Sequence, residues 1–497
     1  MKYIVNGKQM QAADKYTIEN IGIPSMVLME RAALSVVEIM EKESLDFTNV
    51  LVVCGSGNNG GDGYAIARLL HLKGFQVTTW FVGDEHKRSF ENQQQKNIAD
   101  AYQIPTIKEW KGCQFSLIID AIFGIGIKRE VEGFYRETIE KINQMSGFRV
   151  SVDMPSGIND ETGEPMGCAV KVDLTVALAY AKLGHLVKAG NIHVGKLKVA
   201  DIGIYDTSLV NQTGLFYTYE FEDFQKQFPK RIANSHKGNY GKVLLIVGSK
   251  GMAGAAQLCA KACYMVGAGL VHIYTNEENR EILQKALPEA IVSTYNEYDE
   301  EELDKLLAWA SVVGIGCGLG MSEVAQKITK HILDRAEVPC VVDADALNLI
   351  AMDSQIMEGV KASLILTPHM KEMSRLLQCN LDELQRNKKE KIKEFCEKYN
   401  VVCVLKDART MIGCNKEKFY LNLTGNSCMA KGGSGDVLTG IITGVLAQKK
   451  EIYESACLGT YLHGLAGDLA AKEKGEYSVL ASDLICFVSK VLKDIQR

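Results

Sequence analysis

The sequence predicts an α/β fold in two domains, each with a parallel sheet between layers of helices. Its 497 residues exceed what one domain usually holds. Strand-like apolar runs alternate with helix-length periodic segments, the pattern of parallel sheets covered by helices. This alternation is interrupted between residues 205 and 240, where the chain is polar and aromatic. We therefore predict an N-terminal domain at 1–218, a linker at 219–234 and a C-terminal domain at 235–497.

Strand-like runs in the first half predict its parallel sheet, and they lie at 49–54, 75–82, 116–121, 149–154 and 173–179. Ahead of them, Pro24 begins a segment with apolar residues at helical spacing, which predicts a packing helix. A second series of runs follows the interruption, at 242–249, 269–275, 311–318, 339–345, 363–369 and 401–407, with a Gly/Ala-rich helix at 254–268.

Composition excludes several classes of protein. With 46% hydrophobic and 24% charged residues the chain is typical of a globular protein, and a net charge of -5 argues against a broad basic surface for nucleic acid or anionic membrane. No run approaches the about 20 apolar residues that span a bilayer, and the N-terminus lacks the apolar stretch of a signal peptide. Fourteen cysteines without a CxxC pair indicate reduced core thiols. We expect a cytoplasmic protein that forms a homo-oligomer.

The stretch "GSGNNGGDG" at 55–63 follows one predicted strand and precedes the helical "YAIARLLHLKG". Ligands of open parallel sheets bind beyond the carboxyl ends of the strands. We expect the glycines to let the backbone approach a ligand and the free amides to face an anion. A tight structural turn is the alternative, but a turn alone would not require Asn58, Asn59 and Asp62.

Oxygen-bearing side chains also follow the next strands of this half. Asp120 ends one strand, and "VSVDMPSG" brings Asp153 and Ser156 to the end of another. Carboxylate, amide and hydroxyl oxygens suit an alkali or alkaline-earth cation better than zinc. Each residue alone could serve as a cap or turn residue, whereas their placement at successive strand ends favours a shared site.

Three stretches, "GSGNNGGDGYAIARLL", "IIDAIFGIGIKRE" and "SVDMPSGIND", resemble the NAD(P)H-hydrate epimerase domain, a Rossmann-like three-layer α/β/α sandwich, over most of residues 1–215. That family interconverts the R and S epimers of the hydrated nicotinamide cofactor. The resemblance implies potassium at Asn59, Asp120 and Ser156. It implies that the hydrate is held by Asn58, Asn59, Gly60, Gly61, Asp62, Gly124, Ile125, Gly126, Ile127, Lys128, Arg129, Glu130 and Asp153. Epimerisation needs reversible C–O or C–N cleavage, for which Asp153 is our first acid/base candidate and Lys128 the second.

In the second half, "TGNSCMAKGGSGDVLTGIITGVLAQ" places small residues and a carboxylate at the start of an apolar helix. Free amides there form an anion pocket beside Asp436, which predicts phosphoryl chemistry. A helix cap alone would need one Ser or Asp. The stretch resembles the GxGD signature of ribokinase-like enzymes.

Together with "KGNYGKVLLIVGS", "GIGCGLG", "DADALNLI", "TPHMKEM" and "VLKDART", that signature resembles NAD(P)H-hydrate dehydratase from about 235 to 495. In that family ADP or ATP, with Mg²⁺, phosphorylates the C6 hydroxyl of the hydrate, and loss of phosphate restores the ring. The resemblance implies Asp436 as the base. It implies a hydrate site at Ala255, Gly318, Gly320, His369 and Asp436, and a nucleotide site at Lys406, Asp407, Ala408, Arg409, Thr410, Gly432, Gly433, Ser434 and Gly435.

Two departures from the family pattern are visible. Met370 and Lys371 replace a common Pro-Gly pair, and Lys431 replaces a threonine, which we expect to add a cation near the phosphates. A vitamin or sugar kinase of the same fold is the alternative for this half, and it would keep the phosphate on its product. A non-enzymatic nucleotide sensor is a third hypothesis, against which the acid-bearing motifs of Asp153 and Asp436 argue.

Overall fold

The computed structural model describes residues 1–188, 190–209, 212–448 and 451–495. The chain divides into two units, Tyr3–Leu215 and Phe216–Arg497, the latter together with Met1–Lys2. Mostly parallel strands alternate with helices in both units, so the predicted α/β fold class is confirmed. No helix in the part of the chain that the structure describes is long and apolar enough to cross a membrane.

The strands of the N-terminal unit are β1 Lys2–Val5, β2 Asn49–Cys54, β3 Gln76–Phe81, β4 Thr106–Ile107, β5 Leu117–Ala121, β6 Phe148–Val152, β7 Leu174–Leu178, β8 Ala181–Lys182 and β9 Lys196–Ala200. Its helices are α1 Gly7–Tyr16, α2 Ser25–Lys42, α3 Asn58–Leu72, α4 Phe90–Ala101, α5 Gly133–Gln144, α6 Leu183–Leu186 and α7 Gly190–His193.

One sheet of this unit has the parallel order β4-β3-β2-β5-β6-β7-β9. Alternate residues of β2 enter different cores, since Val50 and Val52 pack in one apolar cluster and Leu51 and Val53 in another. A strand buried on both faces reads as a continuous apolar run, which explains why the sequence located these strands.

A further parallel pair, β1 with β8, was not predicted from the sequence. Its register places Val5 opposite Lys182. Helix α1 begins two residues after β1, and the side chain of Asn6 caps it by accepting a hydrogen bond from Gln9 N (2.9 Å). This pairing therefore positions α1 near the end of β8.

The strands of the C-terminal unit are β10 Phe216–Thr218, β11 Lys242–Ile246, β12 Leu270–Asn276, β13 Ile291–Tyr295, β14 Val312–Ile315, β15 Cys340–Val342, β16 Leu364–Leu366, β17 Val402–Leu405, β18 Met411–Gly413 and β19 Phe419–Leu421. Its helices are α8 Phe221–Gln227, α9 Ala253–Met265, α10 Arg280–Ala286, α11 Glu300–Trp309, α12 Glu323–Arg335, α13 Ala344–Met352, α14 Met370–Leu376, α15 Leu381–Arg386, α16 Lys388–Tyr399, α17 Ser434–Gln448, α18 Ile452–Lys474 and α19 Ala481–Ile495.

These strands follow the order β13-β12-β11-β14-β15-β16-β17-β18-β19-β10. The pairs from β13 to β17 are parallel, whereas β17, β18 and β19 pair antiparallel. Helix α17 packs tightly on α9, because a Cβ at Gly440 would lie 2.2 Å from Cys259 O and a Cβ at Gly444 would lie 2.5 Å from Val266 Cγ2. This close packing sets the position of the first turn of α17.

Candidate functional sites

The glycine loop between β2 and α3 is built mainly by close packing. A Cβ at Gly60 would lie 2.0 Å from Gly55 O, and one at Gly63 would lie 2.8 Å from Ala121 Cβ. A Cβ at Gly57, the N-cap of α3, would meet no atom within 4 Å. Glycine at 60 and 63 is therefore required by packing of the helix start against the sheet, rather than by approach of a ligand alone.

A cavity of about 510 Å³ opens beside this loop. Of the residues that the sequence predicted for the site, those that line the cavity are Asn58, Asn59, Asp62, Gly124, Ile125, Gly126, Ile127 and Asp153. Gly60 and Gly61 are buried inside the start of α3 and are not among the lining residues. Lys128, Arg129 and Glu130 are exposed and also do not line the cavity.

Asp153 follows β6 with a left-handed backbone, φ +67°, which is unusual for a residue other than glycine. Its Oδ1 accepts hydrogen bonds from Lys182 Nζ (2.5 Å) and from Leu178 N (3.0 Å). Lys182 is fully buried. The two buried groups therefore form an ion pair.

His185 completes the surroundings of this ion pair. Burial, followed by the charge of Lys182, lowers the pKa of His185 to about 4, so the ring is neutral at neutral pH. Its Nδ1 accepts from Lys182 N (3.0 Å). Nε2 therefore carries the proton and donates to Asp153 O (2.7 Å). The neutral ring holds the backbone of both charged residues without adding charge.

Lys182 was not predicted as a site residue. It stands in "AYAKLGHL" just after an apolar strand and belongs to none of the glycine-rich or acidic motifs. The signal that could have found it is a lysine inside an otherwise apolar stretch at a strand end, because lysine is rarely fully buried without a partner.

Two further carboxyl groups line the same cavity. Burial raises the pKa of Asp14 to about 6. The charge of Lys182 acts to lower this pKa, and the charge of Asp153 acts to raise it. Burial raises the pKa of Asp62 well above its usual range, and the charges of Asp153 and Asp14 add to this. Asp14, on α1, was not predicted from the sequence.

A cluster of oxygens lies at the ends of β5 and β6. Asp120 is 1% exposed, and its carboxylate accepts from Ser156 N (2.8 Å) and Ser156 Oγ (2.5 Å). Ser156 Oγ in turn accepts from Phe123 N (2.9 Å). Burial raises the pKa of Asp120 to about 6 against these hydrogen bonds. Both polar atoms of the buried Asn59 amide have no hydrogen-bond partner among the described residues.

In the C-terminal unit, Asp436 lies in the first turn of α17, where backbone amides have no partner within the helix. Burial raises the pKa of Asp436, while a hydrogen bond with the Cys317 thiol and the charge of Lys406 oppose the increase. A Cβ at Gly435 would lie 3.6 Å from Lys406 Nζ and 3.8 Å from Asp343 Oδ2. The helix start therefore faces a lysine and a second carboxylate.

Asp343 is this second carboxylate, and it was not predicted as a site residue. It is 1% exposed, and its carboxylate accepts from Lys406 Nζ (2.6 Å) and Thr439 Oγ1 (2.6 Å). Burial alone would raise the pKa of Asp343, but Lys406 and these hydrogen bonds hold it below its usual value. Glu372 Oε2 lies 3.9 Å from the same Lys406 Nζ.

His369 and Lys431 have structural partners. His369 is the N-cap of α14, and its Nδ1 accepts from Lys371 N and Glu372 N, each at 3.1 Å. Burial lowers the pKa of His369. Lys431 Nζ donates to the carbonyls of Tyr477 and Val479 at 2.6 Å, and the expectation that it adds a cation near the phosphates stays a prediction.

The predicted hydrate and nucleotide segments are placed as follows. A Cβ at Gly318, which has φ +60°, would lie 3.0 Å from Ala255 Cβ, so these two residues are neighbours. Gly320 N donates to Asp345 Oδ2 (2.8 Å). In the turn after β17, Arg409 Nη1 donates to Leu423 O (3.2 Å), while its buried Nε has no partner among the described residues.

Comparison with known proteins matches both halves. The profile of the family described as "NAD(P)H-hydrate dehydratase" matches residues 243–490, and that of "YjeF-related protein N-terminus" matches residues 25–184. A bifunctional NAD(P)H-hydrate repair enzyme of Moorella thermoacetica is 35% identical over 100% of this chain and 97% of its own length. A bifunctional NAD(P)H-hydrate repair enzyme of Coxiella burnetii is 36% identical over 97% of this chain and 98% of its own length.

A solved structure, the ADP/ATP-dependent NAD(P)H-hydrate dehydratase of Bacillus subtilis co-crystallised with ATP/Mg²⁺, is 31% identical. It covers 56% of this chain and 99% of its own, with a TM-score of 0.50. The structure of a ribokinase-like protein of Enterococcus faecalis is 30% identical. It covers 56% of this chain and 96% of its own, with a TM-score of 0.51. The ribokinase-like fold predicted for the C-terminal half is thereby confirmed.

Proposed function

This chain belongs to the family of bifunctional NAD(P)H-hydrate repair enzymes, and on that premise we propose that it carries out both repair reactions. The N-terminal unit equilibrates the R and S hydrates of NADH and NADPH. The C-terminal unit dehydrates the S epimer at the expense of ADP or ATP. The observation that carries this proposal is the similarity to these enzymes along the whole chain. Each half also has a carboxylate at its candidate ligand site, Asp153 after a strand and Asp436 at the start of a helix.

In the N-terminal unit, the cavity beside the glycine loop binds the hydrate. Its volume of about 510 Å³ is within the range of small-molecule sites. Asn58 and Asp62 supply polar contacts, and residues Gly124–Ile127 cover the ligand. Asp153 is the acid/base group, supported by its ion pair with buried Lys182. Lys128, exposed and outside the cavity lining, is the weaker candidate.

The oxygens of Asn59, Asp120 and Ser156 hold potassium in this proposal. The fit rests on a buried carboxylate, a buried amide without a partner and a hydroxyl, all hard oxygen donors. Among the described residues no group of three or more His, Cys, Asp or Glu side chains suits a metal, so a softer transition-metal site is not favoured. A bound cation would supply positive charge that keeps Asp120 ionised beside the hydrate.

In the C-terminal unit, the start of α17 and the turn at 406–410 bind the nucleotide, with Mg²⁺ as in the Bacillus subtilis relative. The amides of Gly433 and Gly435 neutralise the transferred phosphoryl group. Asp436 removes the proton of the hydrate's C6 hydroxyl as phosphate is attached to that oxygen. Its environment favours this role, because burial raises its pKa towards a value suited to proton transfer.

Phosphorylation makes the second reaction possible, because phosphate leaves far more readily than hydroxide. Loss of phosphate from C6 and of a proton from the neighbouring carbon restores the dihydronicotinamide ring. Ala255, Gly318, Gly320 and His369 form the hydrate side of this site. His369 caps α14 through Nδ1, so Nε2 is the ring nitrogen that remains for a ligand. Glu372 Oε1 lies 3.3 Å from this Nε2.

A repair assay with mixed epimers tests the proposal. Incubated with the full chain, Mg²⁺ and ADP or ATP, the hydrates should regain the dihydronicotinamide absorbance almost completely and release free phosphate. Asp153→Ala should stall near half after a fast phase, because only the S epimer is consumed, and then continue at the spontaneous rate. Adding an independent epimerase should restore completion.

Two results would contradict the proposal. A stable phosphorylated product in place of free phosphate would identify the C-terminal unit as a small-molecule kinase. A single fast phase that runs to completion in Asp153→Ala would mean that Asp153 is not the acid/base group or that both epimers are dehydrated.

A further inference from the structure

The cavity of the N-terminal unit has more carboxyl groups than cations. Asp14, Asp62 and Asp153 line it, and Lys182 is the one cation among the described lining residues. Lys182 Nζ lies 2.5 Å from Asp153 Oδ1 and 2.8 Å from Leu178 O, so its charge is committed to Asp153. A buried carboxylate without an opposite charge takes up a proton. Lys182 therefore compensates the charge of Asp153, whereas burial raises the pKa of both Asp14 and Asp62.

Asp14 and Asp62 differ in burial and in their neighbours. Asp62 is 7% exposed inside the first turns of α3, whereas Asp14 is partly exposed on α1. Both Lys182 and Asp153 act on the pKa of Asp14, which is about 6. A group with this pKa both holds and releases its proton close to neutral pH, as a general acid must. The pairing of β1 with β8 is what places α1 beside Lys182.

Resting on the proposed function, we propose that Asp14, which lines the same cavity as Asp153, is its acid partner in epimerisation, and that Lys182 is a positioning residue that holds Asp153 through their ion pair. Asp14 is an additional catalytic residue, distinct from the glycine loop and from the exposed Lys128.

The protonated Asp14 gives its proton to the C6 hydroxyl, and the C6–O bond breaks with its electron pair leaving on water. The lone pair of the ring nitrogen forms the C6=N1 double bond of an iminium ion. Water then attacks C6 from the opposite face, the π pair returns to nitrogen, and the released proton goes to Asp153. The resulting state, Asp14 ionised and Asp153 protonated, is the one required for the reverse conversion.

Other charged groups around α1 have partners of their own. Asp160 accepts from Gly7 N and from Gly126 N (3.2 Å), and Asp206, on the short helix packed against α1, accepts from Tyr180 Oη (3.0 Å). The titratable groups that face Asp14 or flank its helix are Asp62, Asp153, Lys182, His185, Asp160, Asp206, Tyr180, Lys8, Lys15 and Tyr16. Of these, burial and Lys182 keep His185 neutral.

The test uses the full chain without nucleotide, so that dehydration is silent. The separated R epimer of NADH hydrate is incubated with protein, and its approach to equilibrium is followed by chromatography that resolves the epimers. The wild-type rate should fall as pH rises through about 6, because Asp14 loses its proton. Asp14→Asn should lower the rate by about 100-fold or more and remove that alkaline limb, while hydrate binding changes little.

The matched control is Lys15→Met, which changes the next residue on the exposed side of α1. It should leave both the rate and the alkaline limb unchanged. Asp14→Glu retains the carboxyl group, so its rate should again fall as pH rises and should be higher than that of Asp14→Asn.

Lys182→Met tests the positioning role. Lys182 lowers the pKa of Asp14, so removing its charge should move the alkaline limb to higher pH as well as slow the reaction. A lysine with a merely structural role would lower the rate without moving the limb.

The outcomes separate the two proposals. A wild-type protein that does not accelerate equilibration would overturn the proposed epimerase function. An active wild type with Asp14→Asn equal to it in rate and pH profile would overturn the role of Asp14. If Asp14→Asn does not fold, the pH profiles of Asp14→Glu and Lys182→Met decide. An alkaline limb that does not move in Lys182→Met contradicts the inference.

Discussion

Replacing Lys406 by methionine should strongly destabilise the C-terminal unit. The methionine keeps much of the apolar stem but removes the charge that lies 2.6 Å from Asp343 Oδ1. Asp343 is 1% exposed and would retain only neutral donors among the described residues, the hydroxyls of Thr439 and Thr367 and a weak contact from the Cys317 thiol (3.9 Å). The substitution therefore leaves a buried carboxylate without its counter-charge.

Breaking a buried ion pair by removing one partner costs about 3–5 kcal/mol. We expect about 3 kcal/mol, the lower end, because the Lys406 side chain is 19% exposed and Thr439 still supports the carboxylate. A unit of this size melts about 2–4 °C lower for each kcal/mol, so the expected decrease is about 6–12 °C. Lys327→Met is the control: its partner Glu323 lies at 2.7 Å but both are more than half exposed, and such a pair contributes about 0.3–0.5 kcal/mol.

The difference should also depend on pH. In the wild type the pKa of Asp343 is lowered, so its contribution is complete above the unfolded value and is lost as pH falls through the folded one. In Lys406→Met burial raises the pKa of Asp343 instead, so the folded variant binds a proton more readily than the unfolded chain. Its free energy of unfolding then improves, relative to wild type, as pH falls from 7 towards 4.

Calorimetry of the full chain at several pH values measures both effects, with the transition of the C-terminal unit identified in the wild-type protein by its shift on adding ATP and Mg²⁺. Melting within 2 °C of wild type at pH 7, or a difference that does not change with pH, would refute the idea that Lys406 compensates the charge of Asp343.

Three further predictions follow from individual contacts. Asp436→Asn should abolish dehydration and spare epimerisation, since the proposed base belongs to the C-terminal unit; equal loss of both activities with an intact fold would argue against separate sites. Asp120→Ala should weaken both potassium and hydrate binding in titrations, because it removes the only carboxylate proposed as a ligand, and unchanged potassium affinity would exclude this site. Gly60→Ala should destabilise the N-terminal unit by about 1–3 kcal/mol in denaturant, because its Cβ would lie 2.0 Å from Gly55 O, whereas Gly57→Ala, with open space, should melt near wild type.

Local sequence patterns were sufficient to locate the central strands and the loops that follow them. The run 49–54 was predicted to be a strand, and β2 spans Asn49–Cys54. Such a strand is apolar on both faces, so its signal is continuous and needs no knowledge of its neighbours. The rule that ligands lie at carboxyl ends of parallel strands then placed Asn59, Asp62 and Asp153 near one another, and all three line one cavity.

Weaker local signals were missed. The antiparallel strands β18 and β19 are three residues each, too short for a periodic pattern to stand out. The sequence also did not show that the flexible side chain of Lys431 donates to the carbonyls of Tyr477 and Val479. Where a long side chain goes depends on the partners that folding brings within its reach.

The sequence by itself determined the α/β class, the positions of the central strands, the two motif loops and the family resemblance, because each of these is encoded in a short contiguous stretch. Only the tertiary structure decided which charges meet. Lys182 and Asp153 are 29 residues apart, and Lys406 and Asp343 are 63 apart, and neither pair has a motif that links its members. Their pairing depends on strand register and helix packing, and burial then makes each pair strong enough to set the protonation of the groups around it.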